Sequence, residues 1–275
     1  MIPAPFDYVR ADSVDAALGA LAQHGDEAKL LAGGQSLLPL MKLRLAVPSV
    51  IVDVSRAADL SYVRDEGEVL AIGALTRHHD VATNQLVRSG APVLAHAASL
   101  VGDPQIRHRG TIGGSVAHAD PSADIPTALL ALGASYVVAG PGGTRTVAAH
   151  EFATGFLETT LEPNEMLVEV KVPKATGGWG YEKFTRRAID WATVAVAAVR
   201  TTGGVSVALA NMGPTAIRAA AVERALASGA GAADAAVYAD EGTEPPSDVT
   251  ASAEYRRHLA RVLTARALDR CLSGS

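Results

Sequence analysis

Two short stretches of this chain repeat an unusual pattern, an apolar run ending in paired glycines followed by a small polar residue. The first is Lys29-Leu30-Leu31-Ala32-Gly33-Gly34-Gln35-Ser36 and the second Gly110-Thr111-Ile112-Gly113-Gly114-Ser115-Val116-Ala117. Glycines lack Cβ atoms and reach positive φ, so successive backbone N–H groups can converge on one point and a bulky ligand can approach the main chain. Two such turns in one chain point to one large anionic ligand. A dinucleotide diphosphate suits them, because N–H donors at a helix N-terminus bind such charge without lysine or arginine.

The rest of the sequence narrows the setting. With 48% hydrophobic and 19% charged residues, the chain has material for a packed core. Its net charge of -5, with no basic patch interleaved with aromatics, favours neither nucleic acid nor an anionic membrane. The single cysteine, Cys271, forbids an internal disulfide and an iron–sulfur cluster held by four cysteines of this chain. The opening Met1-Ile2-Pro3-Ala4-Pro5-Phe6-Asp7 lacks the pattern of a signal peptide, and no apolar run is long enough to be a transmembrane segment, so a cytoplasmic protein is expected.

Periodicity and punctuation predict an α+β chain. A helix opens at Ser13 and ends near His24-Gly25, a strand covers Lys29 to Ala32, and a helix runs from Leu37 to Leu45 with Pro39 in its first turn. Strands follow at Val50 to Val54 and Val69 to Ala74, then helices at 76–87 and 92–99. Beyond the second glycine pair come a helix from Thr127 to Leu132 and strands at Ser135 to Ala139 and Glu165 to Val172. Pro173 to Gly180 reads as the linker. Three strands (Tyr181 to Thr185, Ala192 to Thr201, Gly204 to Leu209) and three helical patterns close the chain. In the last pattern Tyr255, Leu259, Val262 and Leu263 share a face, while Arg256, Arg257, Arg261 and Arg266 fall mostly on others, reading as a solvated or subunit-facing surface.

Taken with their flanks, the glycine pairs resemble a specific family, the FAD-binding medium subunits of the molybdenum hydroxylases, of the aerobic carbon monoxide dehydrogenase and bacterial xanthine dehydrogenase type. The matching residues are Ala32 to Pro39 with Met41-Lys42-Leu43-Arg44, then Arg109 to Gly114 with His118-Ala119-Asp120-Pro121 and Asp124, and finally Tyr255-Arg256-Arg257. The resemblance implies a vanillyl-alcohol-oxidase (PCMH)-type FAD-binding fold of two subdomains, about 1–56 and 57–176, plus a small C-terminal α+β domain at 177–275 with a three-stranded sheet and helices. No G-x-G-x-x-G follows a predicted strand and no P-loop is present.

The resemblance also implies a division of labour. Hydroxylation belongs to a large subunit with a molybdenum–molybdopterin cofactor, electrons cross 2Fe–2S clusters on a small subunit, and FAD in this chain passes them to an external acceptor. The assembly it implies is a dimer of heterotrimers. By resemblance, Lys29, Leu30, Leu31, Ala32, Gly33, Gly34, Gln35 and Ser36 with Thr111, Ile112, Gly113, Gly114 and Ser115 form the two loops around the diphosphate. Asp124 matches an acidic residue near ribityl or ribose hydroxyls, Leu167 a main-chain contact to the isoalloxazine edge, and Lys183 a basic residue near the pyrimidine end of that ring. Gln35 departs from the His common in carbon monoxide dehydrogenases, and Ser115 from a frequent Asp or Asn.

Simpler roles compete for several of these residues. Asp124 also reads as the N-cap of the helix beginning near Ile125-Pro126, and Lys183 as a solvated strand lysine. His78-His79, His108 and His118 match no metal-ligand spacing, and Trp191 reads as packing or, less simply, as a ring over the cofactor. No metal site and no catalytic acid, base or nucleophile is expected in this chain. A self-contained flavin oxidoreductase of the same fold and a non-catalytic assembly module are the alternatives.

Overall fold

A computed structural model describes residues 2–274. Its strands fall into three main sheets around three hydrophobic cores, the largest of which is shared by the second sheet and one face of the third. In the first, Val50–Asp53 lies between Asp7–Arg10 and Ala28–Leu31, parallel to both. Val50, Val52 and Val54 pack there with Ala17 and Leu21 of the helix Val14–His24. Ser13 caps that helix, its hydroxyl accepting from the Ala16 amide at 3.2 Å.

The second sheet is antiparallel, in the order Val63–Asp65, Val69–Gly73, Met166–Pro173, Ser135–Gly140 and Gly143–Ala148. Its core gathers Leu70, Ile72, Val138 and Val170 with apolar residues of the helices Pro92–Ser99 and Asp124–Ala131. The third sheet orders Trp179–Phe184, Val194–Thr201, Gly204–Ala210 and Ile217–Arg218, with the helix Ala253–Ser273 across it. That helix sits close because Gly178 and Gly180 lack side chains: an added Cβ would stand 2.0 Å from the carbonyl oxygens of Cys271 and Ala267 respectively.

Several sequence expectations change here. The last sheet has a fourth strand, too short and polar to signal itself. The helix expected at 76–87 is two, His78–Thr83 and Gln85–Gly90. Asn84 divides them, with extended backbone and a side chain accepting from the Leu86 and Val87 amides. The helix from Leu37 stops at Lys42, and Arg44 has a φ of 59°. The closing helix buries Arg256, Leu259, Ala260 and Leu263, leaving Tyr255 exposed, so its inward face is turned from the one expected. Small residues, Ala260, Ala267 and Cys271, decide this, because they let the helix approach the sheet. No helix among the described residues is long and apolar enough to cross a membrane.

Candidate functional site

A cleft of about 620 Å³ opens where the three cores meet. The first unit lines it with Lys29 to Ser36, the second with Thr111, Gly113, Gly114, Ser115, Asp124 and Leu167, and the third with Lys183 and Ile189 to Trp191. The structure thus gathers nearly every residue singled out in sequence. Ile112 is the exception: its side chain is fully buried in the second core.

Hydrogen-bond accounting separates the two glycine pairs. Among the described residues, no backbone N–H from Ala32 to Leu37 meets a protein acceptor. The strand Ala28–Leu31 ends before them, and the helix Leu37–Lys42 begins at the last of them, in a first turn whose amides have no intrahelical acceptor, so neither element's ladder uses them. Gly34 adopts the left-handed backbone, φ 74°, that directs successive amides into a concave run. Such a run bordering a cleft is built to receive an acceptor, since backbone donors left unpaired away from water are costly.

The second pair is not a turn, which corrects the sequence reading. Gly113 and Gly114 lie in the first turn of the helix Ile112–His118, capped by Thr111, and neither has positive φ. The Ile112 amide donates to Thr76 O at 3.0 Å and Gly113 to Ala74 O at 2.9 Å. Gly114 donates to Thr111 Oγ1 at 3.1 Å, and Ser115 to Thr111 O at 3.0 Å. Here glycine provides closeness rather than free donors. A Cβ on Gly113 would stand 2.6 Å from Ala74 Cβ, and one on Gly110 2.6 Å from the His78 ring. One on Gly114 would meet only the Thr111 side chain.

The two elements also touch. A Cβ on Gly33 would lie 2.3 Å from Arg109 O and 2.8 Å from Gly110 Cα, and the Arg77 guanidinium donates to the same Arg109 carbonyl. Gly33 therefore permits loop-to-loop contact instead of leaving space for a ligand.

Asp124, Lys183 and Tyr181 form a buried polar group at the cleft's other end. Lys183 Nζ donates to Asp124 Oδ2 at 2.7 Å and Tyr181 Oη to Asp124 Oδ1 at 2.7 Å. Burial pushes the Asp124 carboxyl up, while Lys183 and Tyr181 pull it back in part. The Tyr181 hydroxyl is held well above its usual range by burial and by Asp124. Two earlier readings fall. Ala123, not Asp124, is the N-cap, and Lys183 is a buried ion-pair partner, so its charge is offset rather than bare. Each carboxylate oxygen keeps acceptor capacity for a hydroxyl in the cleft.

His78 lies beneath the second glycine element, with its pKa lowered to about 4 by burial, then by Arg77 and Arg107. The rings of His79 and His108 meet at a tilt of 30°, with centroids 4.0 Å apart. Among the described residues, no group of three or more His, Cys, Asp or Glu is placed to hold a metal ion. Sequence reasoning missed Leu157, Glu162 and Ile189 at the cleft, and it assigned Trp191 by default to packing. Trp191 is 56% exposed on the cleft wall. An apolar ring directly after the charged Asp190, in a segment that also carries Arg186 and Arg187, was the available signal.

Comparison with known proteins gives the family. Residues 4–175 match the family described as "FAD binding domain in molybdopterin dehydrogenase", and residues 179–271 match "CO dehydrogenase flavoprotein C-terminal domain". The carbon monoxide dehydrogenase medium chain of Hydrogenophaga pseudoflava is 42% identical over 283 residues, spanning 98% of each chain. The 6-hydroxypseudooxynicotine dehydrogenase complex subunit alpha of Paenarthrobacter nicotinovorans is 39% identical over 287 residues, spanning 99% of this chain and 96% of that one. A solved structure of the Hydrogenophaga pseudoflava carbon monoxide dehydrogenase, in a form lacking the Mo-pyranopterin moiety of its cofactor, superimposes with a TM-score of 0.96 at 43% identity, covering 99% of both chains. With both halves matched in order and relatives aligned end to end, the chain belongs to the FAD-binding family of molybdopterin dehydrogenases, and carries a carbon monoxide dehydrogenase flavoprotein-type C-terminal domain.

Proposed function

We propose that this chain is the electron-output subunit of a molybdenum hydroxylase, holding FAD non-covalently in the cleft between its three cores. The observation that carries the reading is the row of uncommitted amides from Ala32 to Leu37. The cleft volume falls within the range of cofactor sites, and its lining of amides, hydroxyls and apolar walls suits a diphosphate flanked by two ring systems.

Bound FAD would supply the redox chemistry, receiving electrons that originate at a partner's molybdenum centre and yielding them to an external acceptor. The residues of this chain bind and orient. Lys29 to Ser36 form the diphosphate cradle, and the element Thr111 to Ser115 closes it, with the Ser36 and Ser115 hydroxyls as further donors. Asp124 accepts from ribityl or ribose hydroxyls while Lys183 and Tyr181 hold its carboxylate in place. Leu167 borders the cleft just before a shift in strand register, and its main chain faces the ring edge. Ile112 acts only through its docked backbone. No side chain needs to serve as a general acid or base.

Partners follow from the same reading: a small subunit with 2Fe–2S clusters and a large molybdopterin subunit, as a dimer of heterotrimers in the cytoplasm. A domain division near residues 56 and 176 is supported by the three main sheets, whose strands fall on either side of these positions. The test is to purify the chain with the proteins it co-isolates with, and to measure flavin, iron and molybdenum per complex. Equimolar FAD with iron and molybdenum is expected; a complex without flavin, or without either metal, would refute the assignment.

A further inference from the structure

Residues 185–193 join the strands Trp179–Phe184 and Val194–Thr201, and place Ile189, Asp190 and Trp191 along the cleft. Ile189 and Trp191 remain 58% and 56% exposed, so packing alone does little to fix this wall. Its far end is anchored by buried Ala192 and Thr193 and by the Thr193 amide donating to Phe184 O at 2.8 Å, and polar ties from elsewhere in the chain add to this. Asn211 Nδ2 donates to the Ala192 carbonyl at 2.9 Å, and Arg256 Nη1 donates to the Thr193 carbonyl. Asn211 is itself set by a left-handed backbone, φ 59°, and by its amide, which donates to Pro121 O at 2.7 Å. Arg256 is 1% exposed; its Nη2 pairs with Asp248 Oδ2 at 2.7 Å, and Asp248 also accepts from the Thr250 and Ala251 amides.

A buried guanidinium is an expensive way to fill space in a helix–sheet core, where leucine or methionine packs without desolvating a charge. What an apolar residue cannot do is donate to the carbonyl of Thr193. We infer that Arg256 and Asn211 are positioning residues, which grip the consecutive carbonyls of Thr193 and Ala192 and so hold the Ile189-to-Trp191 wall against the cleft. The C-terminal helix thereby acts on the ligand site without touching it. The consequence for cofactor affinity rests on the FAD reading above; the consequence for loop order does not.

The test uses the full chain with Asn211→Gly, Arg256→Met and Arg256→Lys. Glycine accepts the left-handed backbone of residue 211, so Asn211→Gly removes the side-chain bond without strain. Tryptic cleavage after Arg186 and Arg187 is followed without FAD, relative to cleavage after the distant Arg56, and FAD affinity is measured by titration. Asn211→Gly and Arg256→Met are expected to raise the cleavage ratio about tenfold and to weaken FAD binding about tenfold, with Arg256→Lys recovering most of both. A wild-type ratio in Asn211→Gly and Arg256→Met overturns the inference, as does a raised ratio with unchanged FAD affinity. Should Arg256→Met fail to fold, Asn211→Gly alone decides by the same criteria. A wild-type chain that binds no FAD would sink the cofactor reading, while the cleavage ratio still judges the grip on the loop.

Discussion

Gly33 faces the carbonyl of Arg109 with no space for a methyl group: a Cβ at residue 33 would stand 2.3 Å from that oxygen. The contact joins two elements from different cores, and both border the same cleft. Gly33→Ala should push them apart, lowering stability by about 1–3 kcal/mol through overpacking and reducing FAD occupancy. Urea denaturation and flavin content after gel filtration check this together; a variant with full flavin and unchanged stability would show that the backbones separate freely.

The glycines of the second pair should behave differently from one another. Gly113→Ala drives a methyl into Ala74, 2.6 Å from its Cβ, and should cost about 1–3 kcal/mol of stability. Gly114→Ala meets only Thr111 Oγ1, at 2.7 Å, so it should cost about 1 kcal/mol as the helix cap is disturbed. Its larger effect should be on FAD affinity, because residue 114 borders the cleft. Melting and flavin titration on the pair of variants would reveal whether the order is reversed.

Breaking the ion pair of Asp124 and Lys183 should be severe. Asp124→Asn leaves a buried ammonium without its counter-charge and should lose about 3–5 kcal/mol. Replacing both, as Asp124→Leu with Lys183→Met, should recover much of that stability but not flavin binding. A double-mutant cycle in urea measures the coupling, and additive single losses would mean the pair is not coupled.

Acid should weaken the fold through His78. Its folded pKa of about 4 lies below the ordinary value of 6.5, so the unfolded chain binds the proton first. The stabilisation is therefore complete above about pH 6.5 and is lost as pH falls towards about pH 4. Between about pH 7 and about pH 5 this group alone should remove about 2 kcal/mol. His78→Gln should flatten that slope, and an unchanged slope in denaturation at the two pH values would assign the acid sensitivity to other groups.

Much of the architecture could be read from the chain because its cores obey simple periods. Val50 to Val52 and Val194 to Val199 are β-branched or apolar throughout, so burial left little ambiguity. Gly143–Ala148 and Ile217–Arg218 were illegible because an exposed edge strand needs no apolar alternation. At the site, sequence located both glycine pairs but gave them one mechanism. The difference lies in where the neighbouring backbone goes: Ala74 and Thr76 consume the amides of Gly113 and Ile112, and only tertiary structure brings them there. The same limit hid Arg256, whose charge argued for solvent until Thr193 and Asp248 supplied its acceptors.

A cavity walled by three bodies, two of which share a core, makes its occupant a keystone. Whatever binds there adds its own affinity to cohesion between the bodies, about 2.7 kcal/mol when present at a hundredfold excess over its dissociation constant. The dependence runs both ways: loosening any one body should release the guest, and losing the guest should lower the stability of all three.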